Sequence, residues 1–413
     1  MLLILIKYLF KLFNSDIPSV FTYASTRMML ASITSLIITI FLGPFVIKKL
    51  YTLKIGQKIR TKETCPLLAE LHEKKKDTPT MGGILILFSM LISMFLWMDL
   101  TNVFTLILLF TTLCLGFIGA IDDYLKLKHK NSKGLPSKLK FLFQLIFSVF
   151  IALYLLWPSP DRFTKKEFPK RVLAKENISN NNAKIIKTIK TPAISKPINL
   201  TAKEYFSRFY IPFYKKPIIL KGFFIILIFL LMVFVITGTS NAVNLTDGLD
   251  GLAAGSLVMV ASALALFAFL SNHIQMARYL NILYIEHSGE IAIYLFAMTG
   301  ACLGFLWYNS FPAQIFMGDT GSLALGGVIG VSAILLRREF LLAIIGGIFV
   351  VEALSVILQV LSYRYRNKKR VFLCSPLHHH FEYKGLPESK VVIRFWIIGL
   401  LLALIGVASL KFQ

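Results

Sequence analysis

The run Asn241-Ala-Val-Asn-Leu-Thr-Asp-Gly-Leu-Asp-Gly251 presents two amides and two carboxylates, at Asn241, Asn244, Asp247 and Asp250, each three residues from the last. Residues three apart are neighbours on a helix, but such a stripe winds by roughly 60° per step. The four groups therefore converge only if the backbone tightens or turns. Gly248, Gly251 and Gly255 permit that turn and the close approach of a ligand. Alone, the string is also ordinary turn chemistry with an aspartate as helix cap. What raises it above that is the company it keeps along the chain.

Asp122 and Asp123 close an apolar run just before Tyr124. Adjacent helical side chains diverge by about 100°, so one carboxylate can face a cleft while its neighbour orients something beside it. Acids at a helix C-terminus oppose the macrodipole, which makes a purely solvated pair a poor explanation. Phe316-Met-Gly-Asp319-Thr-Gly-Ser offers a carboxylate ahead of a glycine-rich run. Mg²⁺ takes one or two such groups together with water and substrate phosphates, while an N-cap aspartate is the plainer reading. Glu73-Lys-Lys-Lys-Asp-Thr-Pro-Thr-Met-Gly-Gly83 brings ammonium groups, hydroxyls and glycine amides suited to phosphate, with Lys138 and Lys140 similar in kind. Pro376-Leu-His-His-His-Phe-Glu382 holds three successive imidazoles. Their side chains diverge, so donors to a phosphate fit better than three ligands to one zinc. Glu352 and Gln359 are polar groups seven apart inside an apolar stretch, where such residues line a cavity or pair internally. Carboxylates suit Mg²⁺, and Mg²⁺ with lysines suits a pyrophosphate, which is the equipment of phosphoryl transfer. Neither a P-loop nor a post-strand G-x-G-x-x-G is present.

The elements that must position these groups are membrane helices. Of 413 residues 56% are hydrophobic, mean hydropathy is +0.69, and windows of roughly 20 apolar residues recur along the whole length. The expectation is an all-α, polytopic integral membrane helical bundle of about ten transmembrane helices, at 25–50, 80–98, 103–121, 141–157, 218–237, 251–270, 290–308, 321–336, 340–363 and 392–411. We expect one transferase domain over 1–413, with Met1 to Phe13 as an interfacial segment. Loops 51–79, 122–140 and 364–391 are rich in Lys and Arg and share a side by parity, so that side is expected to be cytoplasmic. Nearly every cluster above falls on it or at its membrane edge. Residues 158–217 form a basic insert, placed outside by parity and expected to be loosely packed, with no aromatic residue between Lys170 and Lys203. Basic cytoplasmic loops explain most of the net charge of +24, with an anionic ligand as the competing cause, and no nucleic-acid partner is expected. Four cysteines imply no disulfide framework.

Taken in order, Lys-Lys-Asp-Thr-Pro-Thr-Met-Gly-Gly, Asp122-Asp123, the 241–251 string, Phe-Met-Gly-Asp and Pro-Leu-His-His-His-Phe-Glu resemble the polyprenyl-phosphate N-acetylhexosamine-1-phosphate transferase superfamily. The His-His-His-Phe-Glu string points to its muramoyl-pentapeptide branch. The resemblance covers nearly the whole chain outside the insert and the extreme N-terminus. It implies attack of undecaprenyl phosphate on the sugar-side phosphorus of UDP-MurNAc-pentapeptide, with release of UMP and formation of lipid I. It implies Mg²⁺ held by Asp319, with Asp122 as base or positioner for the lipid phosphate and Asp123 beside it. Lys75, Asn244, Asp247 and Phe316 resemble nucleoside-diphosphate contacts. Thr80, Lys138, Asn241, Asp250, Gln359, His378, His379 and His380 resemble further substrate-binding positions. A lipid phosphate has a second pKa of about 6 and is already mostly dianionic, so geometry is the larger part of what Asp122 can supply. The resemblance further implies a homodimer in the bacterial inner membrane, with its site on the cytoplasmic face. The competing readings are a UDP-GlcNAc transferase of the same superfamily and an ion transporter, which would need polar residues across both halves of the bilayer.

Overall fold

The computed structural model describes residues 12, 20, 23–52, 78–128, 134–156, 165–167, 198–200, 202–214, 217–220 and 222–412. Within them the chain is a helical bundle. Its long helices are α1 (Ala24–Thr52), α2 (Gly83–Trp97), α3 (Val103–Lys128) and α4 (Ser137–Leu156). After the short α5 (Ala202–Phe206) come α6 (Ile225–Thr246), α7 (Leu252–Asn272), α8 (Ile274–Leu280), α9 (Ser288–Asn309) and α10 (Gly318–Leu335). The chain ends with α11 (Glu339–Ile345), α12 (Gly347–Tyr365), α13 (Leu377–Tyr383) and α14 (Glu388–Ala408). Among the described residues nine helices are long and apolar enough to cross a membrane, and α2 is a shorter apolar tenth. The segment Met1–Phe13 and Lys75 lie outside the described residues.

The centre of the bundle is α10, in which every residue from Asp319 to Leu335 is buried. It packs on α3 and α6, while α9 packs on α1 and α7. Small residues let the central helices touch backbone to backbone. A Cβ on Gly119 of α3 would stand 2.2 Å from the Asp319 carbonyl oxygen, and one on Gly83 of α2 would stand 2.2 Å from the Gly321 nitrogen. Helix α3 and the start of α2 thus meet the N-terminus of α10 with no side chain between them.

Two boundaries and the packing of the insert differ from expectation. The span expected at 218–237 is α6, which runs nine residues further, to Thr246. Asn241 and Asn244 do not end it because each amide finds a partner on a neighbouring helix, described below. The span expected at 340–363 is two helices, α11 and α12, divided at Gly346. The insert expected to be loosely packed is instead docked where it is described. Strand β1 (Lys165–Glu167) pairs antiparallel with β2 (Ile198–Leu200) and with β5 (Tyr284–Ile285). Strands β3 (Arg208–Phe209) and β4 (Ile218–Ile219) form a second pair. Leu200, Tyr205, Phe206 and Phe209 belong to the main apolar core. The buried Arg337 donates to the carbonyls of Phe206 and Arg208 and pairs with buried Glu339. The Tyr205 hydroxyl donates to Leu335 O. Aromatic side chains paid for this docking, and the apolar-poor Lys170–Lys203 stretch gave no hint of it. These contacts sit at the C-terminus of α10, about 24 Å along the helix from Asp319.

Candidate active site

At the other end of α10 three helix termini converge. The 79–83 segment runs alongside 316–317: Phe316 N donates to Pro79 O at 2.9 Å, Gly82 N to Phe316 O at 2.8 Å, and Gly83 N to Met317 O at 2.8 Å. Thr80 and Phe316 are half-buried in this ribbon. Gly318, at φ +74°, turns the chain into α10 and delivers Asp319. A helix N-terminus leaves amides without intrahelical partners. Here Asp123 of α3 supplies the acceptor, taking Thr320 N at 2.9 Å, Thr320 Oγ1 at 2.7 Å and Asp319 N at 3.2 Å. A carboxylate at this pole also complements the macrodipole. Asp123 therefore caps a helix other than its own.

Asp122 points elsewhere. Its Oδ1 accepts Leu135 N at 2.7 Å, and its Oδ2 lies 2.6 Å from Lys126 Nζ. Asp319 Oδ2 accepts Lys126 Nζ at 2.7 Å and Lys140 Nζ at 2.5 Å, and Asp319 Oδ1 accepts Asn244 Nδ2 at 3.1 Å. Asp122, Asp123 and Asp319 place carboxylate oxygens within 4.8 Å of one another. Asp247 follows the last turn of α6 and accepts the Gly318 N–H. Burial, then the charges of Asp319 and Asp123, push it up to about 7. With all four carboxylates ionised, the two ammonium groups leave an excess of two negative charges. Hard oxygen donors with that excess fit a divalent cation of the Mg²⁺ type.

The structure gathers Asp122, Asp123, Asp319, Asn244 and Asp247, but not every expected residue. Lys138 is exposed; two residues on, Lys140 reaches the cluster. Helical phase decides this, because residues two apart face different sides. Asn241 donates to Gln144 Oε1 at 2.6 Å and ties α6 to α4. Asp250 accepts Ala313 N at 2.9 Å while its own N–H donates to Glu388 Oε1 at 2.8 Å, so it braces loops. Gln359 accepts Phe372 N and donates to Phe372 O, pinning the loop after α12. The three imidazoles part company. His378 is fully buried beside Glu352, so it has no surface to offer a substrate. His379 Nδ1 lies 2.7 Å from Glu382 Oε2, and His380 Nδ1 accepts Leu373 N at 3.1 Å. Lys126 was not singled out from the sequence, although its spacing of three and four residues from the two aspartates carried the signal.

The sequence profile described as phospho-N-acetylmuramoyl-pentapeptide-transferase signature 1 matches residues 75–87, which include the 79–83 segment that runs beside 316–317. That of Glycosyl transferase family 4 matches residues 179–337. A phospho-N-acetylmuramoyl-pentapeptide-transferase of Protochlamydia amoebophila (strain UWE25) is 63% identical over 415 residues, covering 100% of both chains. The chain belongs to the phospho-N-acetylmuramoyl-pentapeptide-transferase family. A second relative of the same name, from Endomicrobium trichonymphae, is 46% identical over 396 residues and covers 95% of both chains. As a phospho-N-acetylmuramoyl-pentapeptide transferase the chain is a membrane enzyme of peptidoglycan synthesis. The convergence of carboxylates and lysines at helix ends is where a phosphoryl group would need them.

Proposed function

We propose that this chain carries phospho-MurNAc-pentapeptide from UDP-MurNAc-pentapeptide to undecaprenyl phosphate at the Asp122–Asp123–Asp319 cluster, on the cytoplasmic side of the bacterial inner membrane. An oxygen of the lipid phosphate forms a bond to the sugar-side phosphorus, the bond from that phosphorus to the UMP oxygen breaks, and UMP leaves as lipid I forms. Asp319, with Asp122 in reach, would hold Mg²⁺, which would supply charge neutralisation for the pyrophosphate. Lys126 and Lys140 hold Asp319 in place and lend positive charge to phosphate oxygens. Asp123 fixes the helix terminus on which Asp319 stands. Asn244 and Asp247 border the donor pyrophosphate, and the ribbon carrying Thr80 and Phe316 faces the nucleoside. The acceptor is dianionic near neutrality, so Asp122 acts by placing it rather than by removing a proton. The enzyme works as a homodimer.

The observation that carries this reading is the grouping of three carboxylates within 4.8 Å beside two lysines. The test is UMP release by purified protein from UDP-MurNAc-pentapeptide and undecaprenyl phosphate, with and without Mg²⁺, beside Asp319→Ala. Release that needs Mg²⁺ and vanishes in the variant is expected. Full activity in a chelator, or in Asp319→Ala, sinks the metal assignment. Turnover of UDP-GlcNAc in place of the muramoyl donor sinks the substrate.

A further inference from the structure

Glu352 lies in the membrane helix α12, with none of its side chain exposed. A carboxylate inside a membrane is costly and persists where something compensates it. What compensates this one is His378. Glu352 Oε1 accepts the His378 backbone N–H at 3.2 Å, and Oε2 lies 3.2 Å from the ring Nδ1. One carboxylate thus holds the histidine backbone by a hydrogen bond and sets its second oxygen beside the ring at ion-pair distance, where neither atom makes a hydrogen bond.

The far edge of that ring meets the organising turn of the chain. A Cβ on Gly248 would stand 2.3 Å from His378 Nε2 and 3.0 Å from Cε1. The imidazole therefore rests directly on the backbone next to Asp247. The same turn is gripped on its other side. Leu249 and Leu252 pack in a satellite core with Ile348, Val391, Val392 and Phe395. Asp250 N donates to Glu388, and Gly251 N donates to Asn309 Oδ1 at 3.1 Å. The turn is an irregular link between α6 and α7, and it is braced from outside by α9, α12, α13 and α14.

We propose that Glu352 is a positioning residue. It seats His378, the His378 ring backs the Asp247–Gly248 turn, and the turn aims Asp247 at Gly318 and Asp319. The first histidine of the triple string thereby acts through the turn and not on the substrate. This rests on the reading that Asp247 borders the donor pyrophosphate. The experiment uses the full-length protein and measures UMP release per folded molecule for Glu352→Gln, Asp247→Asn and the double variant. Glutamine keeps the shape and an oxygen for the His378 N–H, but removes the charge beside the ring. Loss of a residue that orients another typically costs 10–100-fold, so Glu352→Gln is expected to lower kcat by about tenfold or more with donor KM little changed. In the Asp247→Asn background it is expected to cost less than about twofold, because the group it aims is gone. Losses that multiply overturn the proposal, since a merely structural Glu352 would hurt both backgrounds alike. If Asp247→Asn is as active as the wild type, the pyrophosphate reading is what fails. The seating is then decided by Gly248→Ala, which crowds the ring from the other side. Losses from Gly248→Ala and Glu352→Gln that do not multiply support the contact, and multiplying losses overturn it.

Discussion

Gly119→Ala tests whether the aspartate cluster depends on bare backbone contact between α3 and α10. The added Cβ would stand 2.2 Å from the Asp319 carbonyl oxygen, 2.5 Å from its carbon and 2.6 Å from Thr320 Cα. Carbon contacts settle near 3.5 Å, and a rigid helix backbone cannot rotate out of the way as a side chain would, so the two helices must part by about 1 Å. Asp122 and Asp123 travel with α3 and Asp319 with α10. A parting of about 1 Å carries the 2.7 Å bond from Thr320 Oγ1 to Asp123 past the usual limit of about 3.2 Å and uncaps α10. Misplacement of about 1 Å at a reacting centre costs about 10²-fold, which is the loss expected in UMP release. The rate is normalised to folded protein recovered by size-exclusion chromatography in detergent. Gly238→Ala is the matched control: it sits in α6 with no atom within 4 Å of the added carbon, and alanine is the better helix former. Folded Gly119→Ala protein within about threefold of the wild-type rate would refute the reasoning that these carboxylates are placed by close helix approach.

Other perturbations separate the roles of the charged groups. Lys140→Ala is expected to lower UMP release far more than Lys138→Ala, because only Lys140 reaches Asp319; equal effects in the two kinetic assays would contradict the helical phase seen here. Asp123→Ala strips acceptors from the buried amides of Asp319 and Thr320, each worth about 1–3 kcal/mol when left unmade, and should lower the thermal midpoint while Asp123→Asn lowers it less. At the opposite end of the bundle, Glu339→Ala leaves the buried Arg337 without its counter-charge, a loss of about 3–5 kcal/mol, read as a lower midpoint and faster proteolysis of 202–214. Lys126→Ala removes a cation that neutralises Asp122 and Asp319. Millimolar Mg²⁺ should then raise its thermal midpoint more than that of the wild type, and equal shifts would show that lysine and metal do not share the site.

The bundle was legible because each span is a long apolar run, and parity alone placed the acidic and amide motifs at one end. What sequence could not show was which partner each polar group would take. Asn241 and Asn244 look like the end of a helix, yet Gln144 and Asp319 satisfy them and α6 continues. Asp250 shares the three-residue spacing of Asp247, but the turn after Thr246 sends it to Ala313. Lys138 and Lys140 are equivalent by composition and are separated only by which face of α4 meets α3. The imidazole run reads as a polar loop, whereas α13 winds it so that His378 is enclosed and His379 and His380 turn to different partners. The insert hid its anchorage because three aromatic residues and one arginine beyond it, Arg337, outweigh a long polar composition.

The charge balance explains why this cluster is built from helix ends and not from a buried polar pocket. Four carboxylates in a membrane protein are tolerable only with strong compensation. Here part of that compensation is permanent, in the α10 N-terminal dipole and amides taken by Asp123. Part is movable, in the flexible side chains of Lys126 and Lys140, which reach Asp319 from α3 and α4. Lysine is a compact charge on a long stem, so it can follow phosphate oxygens when they arrive without any helix having to shift. The rigid elements therefore carry the carboxylates and the soft ones carry the cations. A site that must accept a pyrophosphate, with its own negative charge, and afterwards discharge UMP needs that division: a fixed arrangement of acceptors, and donors that can change partners at each stage.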